Sequence, residues 1–123
     1  MSRPGLSAWL AGLVVGTAAG TVSLMLPAFG WALGAAFVFG ALLSRQRLAA
    51  IGGELIGFGS AWIVLIRLAD DRCRAFDTVP GQGCEGPDTS MWYVVGAALV
   101  AVGIALTIAG AAWSRRRKRD PMA

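Results

Sequence analysis

The sequence predicts an all-α membrane protein: four transmembrane helices in a compact bundle, both termini cytoplasmic, with one disulfide-stapled outer loop. Three observations carry that prediction. The 123 residues are 56% hydrophobic with a mean hydropathy of +0.64. Only 15% are charged, against roughly a quarter in a typical soluble domain. Those charges cluster, leaving long uncharged runs that match the thickness of a bilayer. One domain, 1–123, accounts for the whole chain.

The first helix is expected over 6–26. Arg3 and the small residues Thr17-Ala18-Ala19 look like parts of a signal peptide. The apolar run nevertheless continues through Val22, Leu24, Met25 and Leu26, so an uncleaved helix is the better reading. Pro27 then breaks the chain, because proline lacks an amide hydrogen and pushes its predecessor out of helical geometry. A second helix follows over 28–44, short for a span and in need of its flanks. A single bent helix across Pro27 would be too long for any bilayer. The third helix is expected over 48–69, after Arg45-Gln46-Arg47, and the fourth over 91–113.

Basic residues orient these spans. With four crossings, Arg3, Arg45, Arg47, Arg115, Arg116, Arg117, Lys118 and Arg119 fall on one side, eight of the eleven basic residues. The positive-inside bias makes that side cytoplasmic, and the plasma membrane is the expected location. Trp9 and Trp113 would lie at the inner interface, and Trp31, Trp92 and Tyr93 at the outer one. The tail 114–123 carries "SRRRKR", a stop-transfer anchor that could also meet anionic lipid headgroups or an acidic partner, at about 1 kcal/mol per basic residue.

The outer loop 70–90 reads "DDRCRAFDTVPGQGCEGPDTS", with five acids and two arginines, and is no nucleic-acid contact. Pro80-Gly81 suits the centre of a type II turn. Cys73 and Cys84 flank that turn and are the only cysteines. A bridge between them in an oxidising compartment would stabilise the loop by about 3 kcal/mol in the chain-entropy model. Their spacing lacks the C-x-x-C of a reactive thiol pair, and two thiols without histidine make a poor zinc site. Arg67 is placed to pair with Asp70 and Asp71 on the same helix face.

Small residues mark the helix contacts. Gly12, Gly16 and Gly20 recur every four residues, a glycine zipper on one face of the first helix. Gly96, Gly103 and Gly110 are seven apart on the fourth helix, and the third carries Gly53, Gly57 and Ala61. In lipid, close backbone approach over such residues drives much of helix association. Packing within one chain is the preferred reading of these faces over packing between chains.

Enzymatic readings fail. Ser60 has no histidine or buried lysine beside it, and Glu54 is the only acid within a predicted span. No cofactor or metal is expected. In length and number of spans the chain resembles the small multidrug exporters, which keep their key glutamate in the first helix. Here the notable polar residues of that helix are Thr17 and Thr21, so the resemblance implies no function for this chain.

Glu54, in "AIGGELIGFGS", is the intramembrane candidate. It lies about 9 Å along the third helix at 1.5 Å per residue, inside a ~30 Å hydrocarbon core. An ionised carboxylate there is costly, so the neutral acid is the favoured form unless Arg45 or Arg47 reaches it. Its face is small, and Thr107 on the fourth helix comes to the same depth; a contact between Glu54 and Thr107 is expected. The sequence supports two functions: a structural or accessory subunit docking on another membrane protein through glycine-rich faces, or a homo-oligomeric channel or proton-coupled transporter, including a holin-like pore, centred on Glu54.

Overall fold

A computed structural model describes residues 3–77 and 90–120, and these are helical nearly throughout. Four helices follow in order: α1 (Arg3–Met25), α2 (Pro27–Leu42), α3 (Arg47–Asp77) and α4 (Ser90–Arg119). By length and composition, α1, α3 and α4 can each cross a membrane, while α2 is a shorter apolar helix of 16 residues.

One residue separates α1 from α2. Leu26 takes an extended conformation, with φ −134° and ψ 82°, as the residue before a proline should. Pro27 then opens α2, where its missing N–H costs nothing. Leu26 still donates its own amide to Val22 O (2.7 Å) and accepts from Gly30 N (3.1 Å), so the reversal leaves these groups paired. Gly30 permits the sharp return: a side chain there would run into the backbone of Ser23.

Contacts between elements fix the directions. Gly12, Gly16 and Gly20 meet Ala50, Glu54 and Phe58 in turn, so α1 and α3 run parallel. Gly52 and Gly59 meet Gly103 and Gly96, so α3 and α4 run antiparallel. Gly30 and Gly34 meet Ser23 and Ala19, so α2 doubles back along α1. This alternation gathers Arg3, Arg45, Arg47 and the arginines of 115–119 at one end of the molecule. Arg67, Asp70, Asp71, Arg72 and Arg74 stand at the other.

α3 is the centre. Its side containing positions 50, 53, 54, 57 and 61 takes α1, and its opposite side, with 48, 52, 56, 59 and 63, takes α4. The two sets differ by about half a turn at 100° per residue. α2 packs mainly on α1 and touches α3 more thinly. The result is a layer of α1, α3 and α4 with α2 laid on one flank.

Two boundaries differ from expectation. α3 runs on to Asp77, so 70–77 is helix and not loop; nothing in "DDRCRAFD" breaks a helix, and the first breakers are Pro80 and Gly81. α4 likewise continues through 114–119, because arginine and lysine are good helix formers and favour the negative end of a helix dipole. The turn at Pro80-Gly81 and Cys84 lie outside the described residues.

Candidate functional site

Glu54 sits where α1, α2 and α3 converge, and it is 3% exposed. On the α1 side stands Gly16, whose lack of a side chain lets the two backbones touch. On the α2 side stands Gly34; a Cβ there would lie 3.3 Å from Glu54 Oε1 and 4.0 Å from Ala19 Cβ. Glu54 is thus buried at a junction of glycines, with Oε1 turned towards Gly34. Its Oε2 atom has no hydrogen-bond partner among the described residues. Arg45 and Arg47 are exposed at the basic end and do not donate to it.

Thr107 is elsewhere, and the expected Glu54–Thr107 contact is not what forms. Its hydroxyl lies against Gly52, two residues from Glu54 and some 200° around α3. There it accepts from Trp9 Nε1 (3.2 Å) and donates to Gly103 O (2.8 Å). That pair of bonds ties the N-terminal part of α1 to α4.

The glycines named from sequence fall within the chain. Gly12, Gly16, Gly53 and Gly57 lie in the α1–α3 contact, where an added side chain at any of the four would meet backbone of the other helix. Gly20 joins them: a Cβ there would lie 2.9 Å from Phe58 O and 3.1 Å from Ala61 Cβ. Gly96 and Gly103 lie in the α3–α4 contact, with Gly110 looser against Leu48. Their partners Gly52 and Gly59 went unremarked in the sequence, although their seven-residue spacing matches that of Gly96 and Gly103.

A second feature also escaped the sequence. Trp62 donates Nε1–H to Ser23 Oγ (2.8 Å), and Ser23 Oγ donates to Gly20 O (2.8 Å). Both residues are buried. Rings stack around this bond: Trp62 lies 5.3 Å from Phe58, 5.3 Å from Trp92 and 6.1 Å from Trp31. One cluster therefore joins all four helices. The signal was the Phe58/Trp62 pair at i, i+4, with an indole that needs an acceptor inside an apolar span.

At the charged ends, Tyr93 donates to Asp70 Oδ2 (3.0 Å), linking α4 to the extension of α3. Cys73 lies within that extension. At the basic end Arg117 folds over the Trp113 ring, 5.9 Å from its centroid. Arg115, Arg116 and Arg119 border an open recess of about 470 Å³ whose floor is Ile108, Ala111 and Ala112.

The fold and these sites define a small helical protein with three helices able to cross a membrane. Comparison with known proteins finds no matching family model, no matching curated protein and no matching solved structure. Function has to be argued from the geometry.

Proposed function

We propose that the chain is a small integral protein of the plasma membrane, structural or accessory in role, that docks on another membrane protein. The glycine rows are occupied inside the chain, so the docking surface has to lie elsewhere. The observation that carries the reading is the outward side of α4. This helix packs on α3 along Gly96 and Gly103 and leaves Ala98, Ala101, Ala105, Ala109 and Ala112 exposed on the far side. Their spacing of three, four, four and three residues makes one continuous small-residue track. Such a track favours close approach by a second helix over contact with lipid tails. Arg116 and Arg119 continue it into the basic end, so the partner is expected to carry acidic groups or bound anionic headgroups there. Two parallel copies of this chain meeting at α4 would bring those arginines together, which argues against self-association along this face.

The test is co-purification from native membranes with the Ala101→Leu/Ala105→Leu variant beside the wild type. The wild type should retain a stoichiometric partner, and the variant should lose at least tenfold of it while folding normally. Equal retention by both would reject this face.

The alternative, a homo-oligomeric channel or proton-coupled transporter including a holin-like pore centred on Glu54, is favoured by one observation: its buried Oε2, without a hydrogen-bond partner among the described residues. Mass measurement of the solubilised protein expressed alone separates the two. A single copy without ion leak in liposomes agrees with docking; a defined oligomer with flux agrees with transport.

The same reading has α2 as a fourth crossing, the termini cytoplasmic and Cys73 bridged to Cys84 outside. The bridge is checked by intact mass without reductant, which should be two hydrogens below the reduced value. Two thiols alkylatable without reductant would refute it.

A further inference from the structure

We propose that Glu54 is a membrane-embedded proton-binding site, and that the protonated carboxyl is what allows α2 to seat on α3. The inference is independent of whether the protein docks or transports.

Three observations converge. The carboxyl is enclosed, with Oε2 lacking any partner among the described residues. Among the described residues nothing packed beside it supplies charge: α1 carries none beyond Arg3 at its start, α2 presents Gly34 to Oε1 and carries no charged residue along its length, and α4 lies on the other side of α3. The helix that closes over it, α2, is also the one most thinly held to α3.

The ligand class follows by elimination. A metal ion needs several donors, and among the described residues no group of three or more His, Cys, Asp or Glu side chains could hold one. An organic cation needs an open cavity beside the carboxyl, whereas Glu54 is buried and even a single Cβ added at Gly34 would lie tight against Oε1. A proton needs neither donors nor room. With the proton bound, the site is neutral and α2 can lie on it through Gly34. When the O–H bond breaks, the proton passes to water and a carboxylate remains. That charge has no counter-ion in place and requires hydration. Water can reach it most cheaply by parting α2 from α3, since α1 is held to α3 backbone to backbone.

The experiment uses the full chain in lipid nanodiscs. The infrared carbonyl band of a protonated carboxyl, taken as the difference between wild type and Glu54→Gln, should be present in mildly acidic buffer and should fall severalfold in alkaline buffer. Amide hydrogen exchange is then compared between wild type and Glu54→Gln, an uncharged isostere, at each pH, which cancels the intrinsic pH dependence of exchange. Over 30–41 the two should match in acid, and the wild type should exchange severalfold faster in alkali. No such difference band, a band independent of pH, or α2 exchange that stays equal in the two proteins at every pH would overturn the proposal. Because neither readout involves a partner, failure of docking leaves it intact.

Discussion

Replacing Gly16 by valine should destabilise the folded protein by about 3 kcal/mol or more, the upper range for overpacking a tight contact. A Cβ at position 16 would come within 2.7 Å of the Glu54 carbonyl carbon and 2.8 Å of its Cα. Both atoms belong to the backbone of the central helix and cannot swing aside as a side-chain tip would. Relief therefore requires α1 to move off α3 along its whole length, which would also part Gly12 from Ala50 and Gly20 from Phe58. The control is Gly40→Val on α2, where nothing lies within 4 Å of the added carbon. That change should fall within about 1 kcal/mol of wild type, the scale of intrinsic helix propensity. Reversible unfolding in mixed detergent micelles measures both. Equal stabilities for the two variants would mean that α1 and α3 are not in backbone contact.

The second large effect is expected at Trp62. Truncation to alanine should cost about 3–5 kcal/mol, typical for a large aromatic side chain removed from a core. The loss falls on all four helices, because the ring touches Trp31 of α2, Phe58 of α3 and Trp92 of α4 and bonds to Ser23 of α1. Trp62→Phe keeps a ring but removes the N–H donor, and should cost about 1 kcal/mol for the lost hydrogen bond. The near-ultraviolet circular dichroism of the coupled indoles should collapse in the alanine variant. If alanine and phenylalanine proved equally mild, the cluster would not be holding the helices together.

These two sites show where sequence reasoning reached and where it stopped. The helices themselves were legible, because uncharged runs of bilayer length and the Pro27 break leave few alternatives. So was the alternation that collects the basic residues at one end. The level of Glu54 along the bundle, near that of Gly12 and Thr107, was also within reach, since it depends only on distance along a helix. Its direction around α3 was not. The face of Ala50, Gly53, Gly57 and Ala61 was recognised as small, but both α1 and α4 offered a glycine row to fill it. Only Gly52 and Gly59, a second small row half a turn away, decide that α4 goes to the other side. With α4 placed there, α1 takes the Glu54 side and Thr107 is carried out of reach. Similarly, 70–77 looked like loop because it is polar, yet polarity does not end a helix in the absence of glycine or proline. Trp62 was invisible as a link because its partners come from three other helices and no periodicity connects them.

The central claim is that four helices alternate in direction across a membrane with the basic ends inside. It is tested most directly by labelling from outside intact cells with a membrane-impermeant thiol reagent, in proteins whose Cys73 and Cys84 are replaced by serine. A single cysteine at Gln82 should react at once, and a single cysteine at Gln46, in the α2–α3 turn, should react only after the membrane is opened. Labelling at Gln46 but not Gln82 would contradict the account, through an inverted orientation or an α2 that does not cross, and labelling at both in intact cells would mean that α3 does not cross.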